Sequence, residues 1–183
     1  MNNINSDKLK KIEEELIKIK EEKLNQNEDK CFEILMPKVL RYSQYAPRTK
    51  YEVENRFKEE FEENPKVKEY IFEYLLENKI IDDKFYALNY IHDALLFKRN
   101  SIFELKMKLR EKKIDDEYIN IALEEYEDKI NEYEQKVILG YLKQRKNIDI
   151  LKTKAYLFRK GFKSENIKNA ILDYEYLNNK DKN

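Results

Sequence analysis

The side chains able to do chemistry are few, and most stand where a simpler duty accounts for them. His92 is the single histidine and Cys31 the single cysteine, so neither a histidine cluster nor a multi-cysteine metal site can form within the chain, and no internal disulfide is possible. Cys31 falls in an apolar-periodic stretch and is expected to pack in a small core. Paired carboxylates occur at Asp82-Asp83 and Asp115-Asp116, a grouping that can serve acid–base catalysis. Both pairs precede apolar-periodic stretches, where a helix N-terminus attracts negative side chains, so capping is their expected role. A chain with only two glycines has no phosphate-cradling loop, because such loops need several backbone positions without side chains. The chain is therefore expected not to be an enzyme and to hold no metal or cofactor.

What remains is charge and aromatic surface. The 37 basic and 37 acidic residues cancel, which argues against indiscriminate attraction to a polyanion. Their distribution is uneven: residues 129–183 carry thirteen cations against seven carboxylates, while residues 82–128 carry eight against twelve. Two basic stretches supply the candidate partner- or DNA-binding residues. The first holds Lys98, Arg99, Lys106, Lys108 and Arg110; the second holds Lys143, Arg145, Lys146, Lys152, Lys154, Arg159 and Lys160. Such runs also occur as ordinary solvated helix faces. The fourteen Tyr and nine Phe could offer flat faces for base stacking, but they recur at helical spacing among aliphatics, which predicts core packing.

These residues must be positioned by helices, because Gly and Pro are scarce, 40% of residues are charged, and no segment alternates strictly enough for a strand. The helices repeat. Thr49-Lys-Tyr-Glu52-Val53 and Ser101-Ile-Phe-Glu104-Leu105 both place a hydroxyl three residues before a Glu, the reciprocal capping arrangement. A shift of 48 residues carries Ile102, Leu109, Ile119, Ala122 and Leu123 onto Ile150, Leu157, Ile167, Ala170 and Ile171. The caps lie 52 apart, so the first copy holds about four extra residues, placed in the acidic stretch 59–64. The predicted organisation is an N-terminal helix and linker over 1–30, then three-helix repeats over 31–81, 82–128 and 129–183, the last with a frayed polar tail. The N-terminal helix is expected over 6–25, with Leu9, Ile12, Leu16 and Ile19 as its stripe, and the Asn-rich residues 25–29 read as linker.

Within the repeats, Pro37 kinks the first helix or marks its first turn, and Asn64-Pro65 caps and opens the third. Asp82-Asp83 opens a helix carrying Phe85, Leu88, Ile91 and Leu95. Gly161 is expected just past a helix end in the left-handed region, with Phe162 folding back and Lys113 making the same turn without glycine. Gly140, inside a helical stretch, is expected to let a neighbouring helix approach. No segment offers the roughly 18 to 20 apolar residues of a membrane span, and the first residues lack a signal peptide's apolar run, so a cytoplasmic protein is expected.

Several segments, in order, resemble the bacterial RecX regulatory proteins. Leu40-Arg41-Tyr42-Ser43, followed by Arg48-Thr49 and Glu52-Val53, is similar to the family's opening. Ile80-Ile81-Asp82-Asp83-Lys84-Phe85-Tyr86-Ala87 with Tyr90-Ile91 resembles its most diagnostic segment. Leu105, Leu109, Lys112 and Ile114 resemble its second turn, and Leu157, Arg159, Lys160, Gly161 and Phe162 its Leu-x-Arg-Lys-Gly-Phe. The likeness covers roughly residues 31–175. It implies three tandem three-helix repeats in an elongated, curved molecule; separately, a monomer is expected. It further implies binding to RecA and the RecA–DNA filament, with inhibition of recombinase, coprotease and ATPase activities and hence regulation of DNA repair and homologous recombination. Some members also bind DNA directly. Departures are the acidic insert, Lys113 in place of a usual Gly, the absence of net positive charge, and a helical rather than strand-forming N-terminal segment. Two other readings remain open from the residues alone: a helical nucleic-acid-binding protein independent of RecA, and a helical protein-interaction scaffold.

Overall fold

The computed structural model describes residues 26–97, 100–145 and 148–180, and every regular element among them is a helix. The helix expected over 6–25 lies outside the described residues. In chain order the elements are α1 (Gln26–Tyr45), α2 (Lys50–Arg56), α3 (Lys58–Glu63), α4 (Pro65–Glu77), α5 (Asp83–Phe97), α6 (Ile102–Glu111), α7 (Asp116–Glu125), α8 (Glu127–Lys143), α9 (Ile150–Arg159) and α10 (Ser164–Lys180). The chain divides after Asp82 into two compact units.

The first unit is one three-helix repeat whose middle helix is broken. Thr49 is fully buried and forms the reciprocal cap, its Oγ1 accepting from Glu52 N at 3.1 Å while Thr49 N donates to Glu52 Oε2 at 3.0 Å. Val53, Phe57 and Phe61 are buried as their spacing suggests, but the helix stops at Phe57 (φ −116°, ψ 30°) and restarts as α3. Positions four apart advance by about 40° around a straight helix, so the break re-aims Phe61 into the core. There Tyr42, Phe57, Phe61 and Phe72 follow one another at 5.5–6.0 Å between ring centroids. The acidic insert is α3 itself.

Two local expectations are corrected. Residues 26–29 are not linker but the first turn of α1, where Glu28 and Asp29 suit the helix N-terminus. Pro37 stands inside that helix rather than at its first turn, and Ile34 is 62% exposed. Asn64 does not cap α4; its Nδ2 donates to Glu60 O at 3.1 Å, closing the end of α3, while Pro65 opens α4 without needing an N–H partner.

The second unit holds two repeats, α5–α7 and α8–α10, each with its own core. In α5 the buried stripe is Ala87, Ile91 and Ala94, whose small members let α7 pack closely, so Phe85 is turned outward at 61% exposure rather than buried as expected. Ser101 repeats the reciprocal cap with Glu104, and Asp149 caps α9 through Lys152 N at 3.0 Å. Asp115 makes no side-chain cap, and Asp116 is drawn to Arg110, so that pair supports α7 by charge rather than by a capping bond.

Three helix ends share one form. After α9, Gly161 takes φ +83°, Gly161 N donates to Phe158 O and Phe162 N to Leu157 O, which is the Schellman closure. Lys113 (φ +59°) with Ile114, and Lys79 (φ +50°) with Ile80, close α6 and α4 with the same pair of bonds. Gly140 does not admit a neighbouring helix: a Cβ there would meet nothing within 4 Å.

Candidate partner-binding surface

Side-chain placement divides the candidate cations. Lys98, Arg99 and Lys146 lie outside the described residues. On α6, Lys106 and Arg110 stand four apart and share a face, whereas Lys108 points about 160° away. Arg110 is held by Asp116 through two bonds, Nε to Oδ1 at 2.7 Å and Nη2 to Oδ2 at 3.2 Å, and the hydrogen bond raises the arginine's pKa while lowering the aspartate's. Lys108 Nζ reaches Asn100 Oδ1 at 3.4 Å.

On α9, Lys152 and Arg159 share a face, Lys160 stands about 80° from Lys152, and Lys154 lies on the opposite side. Lys152 Nζ is 3.5 Å from Asp149 Oδ2, an exposed pair of little energetic consequence. Lys154 flanks a shallow hollow with Leu151, Ala155 and Phe158, of which Leu151 is 79% and Phe158 64% exposed. Lys143 and Arg145 are exposed at the end of α8, and the Arg145 guanidinium lies 4.2 Å from the Tyr141 ring centroid. The cations therefore cover several faces rather than one stripe.

Lys160 has a further role that sequence clustering does not reveal. Its Nζ donates to Glu104 Oε1 at 3.1 Å and its carbonyl accepts from the buried Ser101 Oγ at 2.6 Å. Burial works against the charge of Glu104, yet hydrogen bonds from Lys160, Asn100 Nδ2 and Ser101 N, with the Lys160 charge, hold its pKa below the ordinary value. The same hydrogen bond and charge raise the Lys160 pKa. Beside this junction Gly161 passes so near Phe103 that a Cβ there would fall 2.5 Å from Phe103 Cβ. The capping box of α6 thus doubles as the seat for the end of α9.

Beneath it lies a residue the motifs did not single out. Glu134 is fully buried on α8; its Oε1 accepts from Ile102 N at 3.1 Å, and its Oε2 from Lys163 N at 3.2 Å and Asn166 Nδ2 at 2.8 Å. One side chain therefore satisfies amides at the N-termini of α6 and α10, which belong to different repeats. Tyr133 OH donates to Asn100 O at 2.8 Å, and burial pushes its pKa up to about 12. The sequence signal was present, since Glu134 interrupts an apolar row spaced by four: Ile130, Ile138 and Leu142. These bonds make the two repeats of the second unit mutually dependent and fix the faces that α6 and α9 present.

The aromatic expectation holds only in part. Phe32, Phe57, Phe61, Phe72, Tyr74, Tyr133 and Phe162 are buried, but Tyr45, Phe85, Phe97, Phe103, Phe158 and Tyr176 are more than half exposed. Cys31 is partly buried against the first core, and burial together with Glu63 and Glu60 raises its pKa. His92 is exposed, 3.3 Å from Asp93. Among the described residues no three His, Cys, Asp or Glu side chains converge as a metal site, and no helix is long and apolar enough to cross a membrane.

No family model matches the chain, and no curated protein matches its sequence. Solved structures do. RecX from Lactobacillus salivarius superposes with a TM-score of 0.68 at 22% identity, covering 80% of this chain and 98% of that one. A second crystal structure of regulatory protein RecX gives 0.65 at 21% identity, covering 80% and 77%. Helical in every regular element of its described residues and built of three-helix repeats, this chain has the fold of the RecX regulatory proteins.

Proposed function

We propose that this chain is a non-enzymatic regulator of RecA, which binds the recombinase filament on DNA and suppresses its recombinase, coprotease and ATP-hydrolysing activities. The observation that carries the reading is the coincidence of fold and motif: the chain resembles RecX structures over 80% of its length, and its most RecX-like residues stand at structural joints. Asp82-Asp83 stands at the head of α5, and Arg159-Lys160-Gly161-Phe162 forms the closure that seats α9 on α6. A regulator of this kind contacts its partner through helix faces, and the cations Lys106, Lys143, Arg145, Lys152, Lys154 and Arg159 are its candidate contacts, with opposite charge steering association. Lys160 and Arg110 contribute mainly by holding those faces.

Charge reversal tests this reading. Arg145→Glu combined with Arg159→Glu should weaken association with the cognate RecA filament and reduce inhibition. Unchanged inhibition, with loss of affinity for bare single-stranded DNA, would favour direct DNA binding independent of RecA, an interaction that weakens steeply with salt.

A further inference from the structure

The second unit carries an open groove of about 560 Å³ along α8, with the C-terminal end of α5 on one side and α9 on the other. Its lining is mixed: Leu95, Val137, Ile138, Leu157 and Phe162 supply the apolar part, and Lys136, Gln144 and Lys160 stand among them. Leu96 and Phe97 stand on its rim at 59% and 80% exposure, far more apolar surface than two side chains at a helix end need show to water. Gly140 lines the groove as well, and the space beyond its Cα is empty to 4 Å. A glycine inside a helix is unfavourable, and no close packing requires it here, so its effect is to keep the groove open.

Charge narrows the occupant. Among the described residues no carboxylate lines the groove; its charged members are Lys136 and Lys160, and Arg145 lies against Tyr141, one of the lining residues. Lys160 is paired with Glu104, whereas Lys136 and Arg145 make no ion pair among the described residues. Base stacking is the weaker fit, because Tyr141 already engages Tyr156 at 5.5 Å between centroids and Arg145 at 4.2 Å, while the most exposed rim residues include an aliphatic.

We propose that this groove receives an apolar side chain of leucine or phenylalanine size from a partner protein segment that bears carboxylates beside it. The inference rests on the reading of the chain as a RecA regulator, and the cognate RecA filament is the probe.

Gly140→Leu extends into the groove from a helical position where an added Cβ meets nothing within 4 Å and helix propensity improves, so folding should be preserved. Phe97→Asp removes the rim contact at an exposed site. Circular dichroism melts establish that both variants are folded. Affinity is then measured for RecA filaments on single-stranded DNA and, separately, for the bare oligonucleotide. Each variant should weaken filament binding by about tenfold or more, with oligonucleotide affinity unchanged. Lys136→Glu should weaken filament binding in the same direction. Filament binding by both Gly140→Leu and Phe97→Asp within about twofold of the parent would overturn the groove proposal alone. Proportional loss of oligonucleotide affinity would overturn it in favour of a nucleic-acid site. Failure of the unaltered protein to bind the filament would instead remove the regulatory reading and this inference with it.

Discussion

Replacing Glu134 by Gln removes one acceptor and changes almost nothing else in volume. Three donors converge on the two carboxyl oxygens: Ile102 N on one, Lys163 N and Asn166 Nδ2 on the other. The amide oxygen of Gln can serve only one side, and the better choice faces the pair at α10. Ile102 N–H is then left opposite an NH2 group, a buried donor against a donor, which costs about 1–3 kcal/mol. Loss of a charged acceptor at a helix N-terminus adds about 0.3–1 kcal/mol. The sum, about 1.3–4 kcal/mol, corresponds to a fall in Tm of roughly 3–16 °C for a chain of this size. Urea unfolding followed by circular dichroism gives the stability change, and amide exchange gives its location. Faster exchange should appear at Ile102, with little change in α1 or α4. A Glu134→Gln variant within about 0.5 kcal/mol of the parent, the ordinary scatter of surface substitutions, would refute the clamp.

Gly161→Ala forces a side chain into a left-handed position against Phe103 and should cost about 1–3 kcal/mol by denaturant unfolding. Lys113→Gly relieves the same backbone conformation at the corresponding turn and should stabilise by up to about 1 kcal/mol in the same assay. Because the folded pKa of Glu104 lies below its ordinary value, its contribution is complete above about pH 4.3 and is lost as pH falls through the folded value. The urea midpoint should therefore drop more steeply toward pH 3 in the parent than in Glu104→Gln.

Local chemistry was legible in the sequence wherever it followed from short spacing. The Thr49 and Ser101 caps and the left-handed Gly161 and Lys113 stand where three- and four-residue patterns put them. Placement failed where the outcome depended on what crosses from another element. The repeat spacing shows extra residues in 59–64, but nothing in it places the break at Phe57, which serves the aromatic packing against Tyr42 and Phe72. Asp116 could cap or pair, and the position of Arg110 decides for pairing. Phe85 and Phe97 share helical spacing with aliphatics yet face outward, because Ala87 and Ala94 make the closer-packing side of α5. Among the candidate contacts, nearness along the chain concealed a division around α6 and α9, and it could not show that Lys160 is tied to Glu104, 56 residues earlier. Glu134 was visible as an acid in an apolar row, but only the convergence of two helix N-termini gives it a purpose.

The central claim, regulation of RecA, is tested most directly by single-stranded-DNA-dependent ATP hydrolysis by the cognate RecA, measured with rising amounts of this protein. A RecA regulator should inhibit saturably and be retained on RecA filaments at the inhibitory concentrations. Undiminished hydrolysis, and no association with the filament across the full concentration range, would contradict it.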